Sequence, residues 1–332
     1  MLKLLVGDQA YVRALDLYFD RHDGDAATIE DWLRVFEDTT GRDLTQFKRW
    51  YSQAGTPRLT VEDSFELDTL TLTFTQHTPP STATPDPQPQ VIPIALGLIY
   101  PDGTEALPTQ VLEMTKATQS FRFTGLEAQP VASILRGFSA PVVLTHDMSD
   151  ADRAHLLAHD TDPFNRWEQG RTLARKSLLA TIRSGSAPDP AYLDGIRKVV
   201  TDTTLDPATR ALMMGSPSQS ELANALHEAG DIPDPATIYN ATEGLREALA
   251  DSFAGDAEGI YAANTVTTGY APDAAQSGMR SLAGVMLSLI TRRDGGAAAL
   301  AQYETADNMT QQLGALSALI RAGKGDDTLK AF

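Results

Sequence analysis

The spacing of apolar residues changes twice along this chain, and that change restricts its possible folds more than any other feature. Across residues 1–57 and 148–332, apolar residues recur every three or four positions, as in amphipathic helices. Across residues 58–147 they alternate with polar residues, as in half-buried strands. The sequence therefore predicts a multidomain α and β protein with three domains, at residues 1–57, 58–147 and 148–332.

The first segment carries helix start and stop signals at short intervals. Thr28 and Asp31 have the spacing of a capping box, and Asp43 with Gln46 has the same spacing. Gly41 lies between them, in a position to end the first of these two helices. Large aromatic residues follow the helical spacing, so we expect them to form a core against the next domain. These residues are Trp32, Phe36, Phe47 and Trp50.

The middle segment is predicted to form an antiparallel, immunoglobulin-like β-sandwich. Leu70, Leu72 and Phe74 alternate with threonines, and residues 91–100 are apolar on both faces, as in a fully buried strand. About seven such short runs separated by turn residues are typical of a sandwich. Residues 76–90 hold five prolines among polar residues. We interpret them as a mobile surface loop; the alternative, a proline-rich ligand, lacks basic flanks.

The last segment is rich in alanine and leucine, and Asp-Pro pairs punctuate it. In each pair the aspartate can cap a helix and the proline can occupy the first helical position. Many short helices in succession favour an all-α array of stacked helix pairs, solenoid-like in the manner of armadillo or HEAT repeats. The four pairs begin at Asp162, Asp189, Asp206 and Asp234.

Charge and composition narrow the partners and the compartment. The formal net charge is -17, and an acidic surface repels phosphate backbones and anionic lipid heads, so we expect neither nucleic acid nor membrane as a partner. No apolar run is long enough to cross a bilayer. The chain has no cysteine, which excludes thiol catalysis and thiolate metal sites and fits a reducing compartment. We therefore expect a cytoplasmic protein.

Histidine patterns give weak metal signals. The pair His227-Glu228 is followed by Ala229 and Gly230, so the second histidine of the zinc motif H-E-x-x-H is missing, and a helix C-terminus is the better interpretation. His155 and His159 are one helical turn apart, with Asp160 adjacent. They could hold a metal weakly, but with no third ligand we interpret them as partly exposed residues near a helix end.

The remaining polar clusters have structural interpretations. No G-x-S-x-G elbow accompanies His146-Asp147, so a serine triad is not indicated. The acidic groups and the short basic patches fit helix capping and ion pairing better than binding. We therefore assign no catalytic and no metal-binding residue, and leave the substrate-binding residues unknown. The acidic groups are Asp23 with Asp25, and Asp147, Asp150 and Asp152; the basic patches are Arg292-Arg293 and residues 171–176.

Longer strings resemble a known family. LYFDRHDGDAATIEDW followed by FKRWYSQAGTPRLTV is similar to the end of the catalytic domain of bacterial-type aminopeptidase N and its passage into the next domain. RGFSAPVVL, DPFNRWEQGRTLA and DNMTQQLGALSAL follow in the order that this family has. The resemblance spans essentially the whole chain.

The resemblance implies an enzymatic function for the complete protein and a non-catalytic role for this chain. Members of this family are zinc metallopeptidases that remove N-terminal amino acids from peptides, using H-E-x-x-H, a later Glu, a G-A-M-E-N strand and a Tyr. None of these signals occurs here, so no functional residue of the family is carried onto this numbering. The resemblance implies a non-catalytic C-terminal fragment, without zinc of its own, whose helical domain encloses the active site of a catalytic domain in the same polypeptide.

Other interpretations stay open on the sequence alone. The chain could be an expressed segment, a proteolytic fragment or a truncated gene product. It could also be a stand-alone interaction module, or a hydrolase with an unrecognised site. We further expect self-association, because the last predicted helix carries a row of apolar residues that later helices would cover. That row is Leu313, Leu316, Leu319 and Ile320, ahead of the chain end at residues 329–332.

Overall fold

The computed structural model describes residues 1–325 and divides the chain after Ser149 into two compact units. The first unit is built from short helices and a sandwich, and the second, called the helical unit below, from helices. The predicted boundaries after residues 57 and 147 stay a prediction. The elements of the first unit are α1 (Leu2–Val6), α2 (Asp8–His22), α3 (Ile29–Thr40), α4 (Arg49–Ser52), β1 (Arg58–Glu66), β2 (Thr69–His77), β3 (Ile92–Ile99), β4 (Glu105–Met114), β5 (Thr118–Phe123), β6 (Val131–Ile134), a 3₁₀ turn (Arg136–Phe138) and β7 (Val143–His146).

One of the two predicted capping boxes forms. The Asp31 amide donates to Thr28 Oγ1 over 3.2 Å, and the Thr28 amide donates to Asp31 Oδ2 over 3.0 Å, so α3 begins as expected. The box at Asp43 and Gln46 does not form, and only the four residues of α4 become helical there. Asp43 accepts instead from the amide of Thr45, two residues on, and this local turn competes with the helix.

The sandwich consists of two sheets, ordered β5-β2-β1-β7 and β4-β3-β6. Most strand pairs are antiparallel, as predicted; Val61 of β1, for example, lies opposite Phe74 of β2. The pair β1 and β7 is parallel, which the sequence did not indicate, and it sets Arg58 opposite Val143 at one edge. Every residue of β3 is buried, which confirms the reading of that run as a fully buried strand.

The four aromatic residues predicted as a core in the first segment differ in burial. Phe36 and Phe47 are buried in a cluster formed by the short helices. Trp32 and Trp50 are half-buried, so they lie at the border of the core rather than inside it. Trp50 packs against both this cluster and the sandwich core, and its Nε1–H donates to the Val91 carbonyl over 2.7 Å. The indole N–H needs a hydrogen-bond acceptor, which explains why Trp50 lies at the border between the two clusters.

The proline-rich segment connects β2 to β3 as predicted, and hydrogen bonds tie it down. Gln76 and Gln90 exchange side-chain and backbone hydrogen bonds of 2.9 and 2.8 Å across its base. Gln53 does the same with Gln88, at 3.1 and 2.8 Å. The side chains of Gln53 and Gln76 thus satisfy the backbone N–H and C=O groups of Gln88 and Gln90 in this proline-rich segment.

A buried guanidinium closes one end of the sandwich. Arg136 donates over 2.8 Å to each of three oxygens, on Glu105, Thr109 and Ser133. Its Cζ lies over Gly97 of β3, where an added Cβ would be only 2.0 Å away. Glycine at this position therefore leaves the space that the arginine fills.

The helical unit confirms the Asp-Pro interpretation. Each of the four aspartates accepts a hydrogen bond from a backbone amide of the helix that its proline begins. The helices of this unit, within the described residues, are α5 (Asp150–His159), α6 (Pro163–Ser184), α7 (Pro190–Thr201), α8 (Pro207–Met213), α9 (Gln219–Glu228), α10 (Pro235–Ser252), α11 (Ala257–Asn264), α12 (Ala274–Asp294), α13 (Ala297–Thr305) and α14 (Met309–Arg321).

Helix α12 lies at the centre of the later packing, because it contacts α8, α10, α11, α13 and α14. Leu282, Met286 and Leu289 on α12 join a core cluster that extends back to Leu173 of α6. Helices of this unit thus contact helices that are not their neighbours in the sequence. The candidate site lies in the spaces between α12 and the helices that it contacts.

The apolar row on α14 is only partly exposed. Leu316 and Leu319 are buried, so the expectation that they wait for later helices was wrong; α14 packs them against α12 and α13. Leu313 and Ile320 are exposed. The end of the row, residues 329–332, lies outside the described residues, and self-association stays a prediction.

Candidate functional site

The histidines considered as metal ligands from the sequence belong to no larger cluster of metal-binding side chains within the described residues. Among residues 1–325, no group of three or more His, Cys, Asp or Glu residues is placed to hold a metal ion. His227 and Glu228 form the last turn of α9, and the chain leaves the helix through Gly230 with φ +86°. This agrees with their interpretation as a helix C-terminus.

His155 and His159 share one face of α5, with ring centroids 4.9 Å apart. His159 is exposed at the helix end, while the adjacent Asp160 is buried and accepts from the Asp162 amide over 2.9 Å. The aspartate therefore takes part in the connection between α5 and α6.

The other polar clusters are largely paired. His146 Nε2 lies 3.2 Å from Asp63 Oδ1 on the neighbouring strand β1. Asp150 pairs with Lys176. Arg171 donates to Glu221 in the first turn of α9, and this hydrogen bond lowers the pKa of Glu221 to about 2. Basic patches that pair with carboxylates were expected from the sequence.

A concave site in the helical unit was not predicted from the sequence. It is a cavity of about 520 Å³ between the start of α9, helix α10, helix α12 and helix α14. We call it the arginine groove. Its apolar floor includes Met214, Leu249 and Leu289. Its charged lining consists of Arg246, Arg280, Arg292 and Arg321.

Two of these arginines are held by carboxylates behind the groove. Arg292 donates to Glu243 over 2.6 Å and also to Glu247, while Arg246 donates to Glu243. Burial alone would raise the pKa of Glu243, but the hydrogen bonds from Arg292 and Arg246 outweigh it and the pKa is lowered. Burial alone would lower the pKa of Arg292, and its two glutamates reverse that effect. Glu243 and Arg292 are therefore both charged at neutral pH.

The other two arginines have no carboxylate partner within the described residues. Arg280 donates to Gln276 Oε1 over 2.8 Å and to the Ala271 carbonyl over 3.0 Å. Its guanidinium also lies 4.6 Å from the centre of the Tyr270 ring. Arg321 is exposed in the last turn of α14. Arg280 is thus fixed by neutral groups.

Two further cavities share lining residues with the arginine groove. One of about 500 Å³ shares Gln302 and Gln311 and is bordered by the loop 265–269. One of about 250 Å³ shares Arg280, Ser281 and Thr310. The concave surface of the helical unit therefore continues from the arginine groove into both cavities.

No local pattern in the sequence indicates this site. Successive arginines of the groove are separated by 12 to 34 positions and come from three helices, so only tertiary packing brings them together. The sequence did place Arg292 beside Arg293, and the structure separates the two functionally. Arg293 pairs with Asp251 and does not line the groove.

Comparison with protein families assigns both parts of the chain. Residues 55–147 match a domain of unknown function, DUF3458, with an Ig-like fold. Residues 150–332, more than half of the chain, match DUF3458_C, a domain of unknown function described as ARM repeats. Both agree with the predicted fold class. Between residues 1 and 325, no helix has the length and apolarity needed to cross a membrane.

Similar proteins cover almost all of the chain. The aminopeptidase N of Caulobacter vibrioides is 37% identical over 332 residues, which is 97% of this chain and 38% of that protein. The aminopeptidase N of Escherichia coli is 34% identical over 340 residues, with the same coverage of 97% and 38%. The chain thus spans well under half the length of these relatives.

A solved structure has the same fold. The crystal structure of Legionella pneumophila aminopeptidase A in complex with aspartic acid superimposes with a TM-score of 0.83 at 26% identity, over 99% of this chain and 39% of that one. The sequence resemblance, the two domain matches and the shared fold agree. The chain belongs to the DUF3458_C family of ARM-repeat domains and is homologous to the C-terminal part of aminopeptidase N.

Proposed function

We propose that this chain is the non-catalytic part of an aminopeptidase N, and that it acts as a scaffold and enclosure for an active site formed elsewhere in the protein. The observation that carries the proposal is the coverage of the relatives, which match 97% of this chain with only 38% of their own length. The reaction would be the removal of N-terminal amino acids from peptides.

The residues present do not fit a catalytic zinc centre. Such a centre takes three protein ligands, often two histidines one helical turn apart with a carboxylate. The only such histidine pair, His155 and His159, has no third ligand among the described residues, and H-E-x-x-H does not occur in the sequence. We therefore propose that zinc and the catalytic groups belong to the catalytic domain, and we derive no chemical step from this chain.

The helical unit would contribute enclosure. A wall of helices around an active site excludes bulk water and limits access to substrates small enough to enter. The helical unit has a continuous core, formed by residues of α5 to α12, and this gives such a wall the rigidity it needs. The compartment we propose is the cytoplasm, which the absence of cysteine fits.

The first test measures the chain by itself. Metal analysis of the purified protein and an aminoacyl-anilide assay should give no stoichiometric zinc and no turnover above a buffer blank. One tightly bound zinc per chain, or measurable turnover, would contradict the proposal and favour a hydrolase with an unrecognised site.

The second test measures enclosure. Coexpression with the catalytic part of the Caulobacter relative should yield activity on dipeptides, and activity should fall as peptide length increases. A form lacking residues 150–332 should retain dipeptide activity and lose the length discrimination. Equal discrimination in both forms, with dipeptide activity intact, would show that the helical unit does not limit access.

A stand-alone interaction module is the second candidate. ARM-repeat arrays use concave surfaces to bind partner chains, and this helical unit has an extended concave surface around Arg280. The source gene discriminates between the two candidates. An H-E-x-x-H motif in the same reading frame upstream of Met1 supports the aminopeptidase, whereas an unrelated domain or a stop codon supports the module.

A further inference from the structure

The arginine groove has a charge opposite to that of the chain around it. The whole chain has 44 acidic and 27 basic residues, apart from histidine. Among the described residues that line the groove this ratio is reversed, because they include four arginines and no aspartate or glutamate. A concentration of one charge in a concave, partly apolar site attracts ligands of the other charge.

The ion pairs define how much of this charge is available to a ligand. Arg246 and Arg292 face two carboxylates, those of Glu243 and Glu247, which balance their charge from behind. Arg280 and Arg321 have no such partner among the described residues. Counted over residues 1–325, the groove has an excess of about two positive charges, which matches a dianion.

Arg280 is already held in place for binding. Its hydrogen bonds to Gln276 and Ala271 and its contact with the Tyr270 ring restrict the side chain before any ligand arrives. A preorganised guanidinium loses less conformational entropy on binding than a free one. It also has donors to spare, because a guanidinium has five N–H groups.

The uncharged part of the lining indicates the size and polarity of the rest of the ligand. The hydroxyls of Ser288 and Thr310 can donate to an anion, and the floor formed by Met214, Leu249 and Leu289 is apolar. A volume of about 520 Å³ lies within the range of small-molecule sites and exceeds the needs of a bare inorganic ion. An anion with an apolar carbon skeleton fits both properties.

We propose that the arginine groove binds a small organic dianion, which presents carboxylate or phosphoryl groups to Arg280 and Arg321 and rests its carbon skeleton on the apolar floor. A planar carboxylate and a tetrahedral phosphoryl group each present oxygens that arginine binds through paired hydrogen bonds. The proposal is independent of peptidase activity, because it needs only the helical unit.

The experiment is isothermal titration calorimetry on the full chain at low ionic strength, with adipate, phenyl phosphate and the neutral analogue adipamide as ligands. One dianion per chain should bind, adipamide should not, and binding should weaken as salt is added. Binding of adipate alone would identify carboxylates as the ligand class, and binding of phenyl phosphate alone would identify phosphoryl groups.

The variants locate the site. Arg280→Gln and Arg321→Gln should each weaken binding about tenfold or more, and the double variant should abolish it. Arg175→Gln is the matched control, because Arg175 is an exposed arginine of α6 that does not line the groove. Circular dichroism checks that each variant folds. The proposal is overturned if neither dianion binds, if adipamide binds equally well, or if the control variant loses as much affinity as Arg280→Gln.

Discussion

Strand β3 of the sandwich and helix α12 of the helical unit are both central elements, yet their surroundings differ. All eight residues of β3 are buried, and even Gly97 is covered by the guanidinium of Arg136. Helix α12 is buried along one side, while Ser281, Ser288 and Arg292 line a cavity of about 520 Å³. Both elements are thus central, but β3 is buried along its whole length whereas α12 borders a cavity.

The difference follows from how each type of element packs. Two sheets face each other about 10 Å apart, and side chains that alternate along each strand interdigitate across that gap. Helices pack through ridges and grooves at several angles, so a helix with five neighbours cannot fill every gap between them. A site for a ligand is therefore expected in the helical unit, and a rigid support in the sandwich.

The largest expected effect tests whether each core stabilises its own unit. Phe74→Ala in the sandwich and Phe253→Ala in the helical unit both empty a fully buried position, and each should cost about 3–5 kcal/mol. Calorimetry should show two transitions, and each substitution should lower only one of them. If both substitutions lower a single shared transition by the same amount, the two units unfold together and the comparison fails.

Gly97→Ala tests how completely the sandwich is filled. The added methyl group would lie 2.0 Å from Arg136 Cζ, so strand β3 or the arginine must move, at a cost of about 1–3 kcal/mol. Urea unfolding monitored by tryptophan fluorescence measures it. In an Arg136→Met background the same substitution should cost less. An equal cost in both backgrounds would mean that the guanidinium is not the obstacle.

Gly244→Ala in the helical unit is the counterpart of Gly97→Ala, and it should raise the free energy of unfolding. Gly244 is exposed in the interior of α10, and no atom lies within 4 Å of an added Cβ. Replacing a helical glycine by alanine reduces the entropy lost on folding and should gain about 0.5–1 kcal/mol. Thermal unfolding at 222 nm measures it. A loss of stability would show that this helix face is less open than the structure indicates.

The smallest expected effect depends on pH. Arg171 lowers the pKa of Glu221 from 4.5 to about 2, so this carboxylate stabilises the folded state above pH 4.5, and the contribution is lost as the pH falls towards 2. Because the side chain is nearly half exposed, Glu221→Gln should cost less than about 1 kcal/mol at pH 7. Comparing melting temperatures at pH 7 and pH 2.5 tests this.

The control for that titration is Glu228→Gln at the other end of α9, which removes the same charge from a residue without an ion pair among the described residues. Its effect should be smaller at pH 7. A difference for Glu221→Gln that stays constant down to pH 2.5 would contradict the role assigned to Arg171.

Local signals made most of the fold predictable. The threonine alternation of β2, the apolar run of β3 and the four Asp-Pro caps each depend on neighbouring residues, and all appear as predicted. The box at Asp43 failed because a turn of similar strength competed with it over the same few residues. The parallel pairing of β7 and the arginine groove depend on residues far apart in sequence, for which one sequence has no local signal.

The parallel pairing of β1 with β7 also has a consequence for synthesis on the ribosome. Arg58 leaves the ribosome long before its partner Val143, so one edge of β1 stays unpaired for roughly 4–17 seconds at typical rates of chain elongation. An open strand edge can pair with other chains, and charged side chains oppose such pairing. Glu62, Asp63 and Glu66 give β1 such charges. These acidic residues lie beyond the four positions that β7 pairs with, so they would oppose pairing with other chains both before and after β7 joins the sheet.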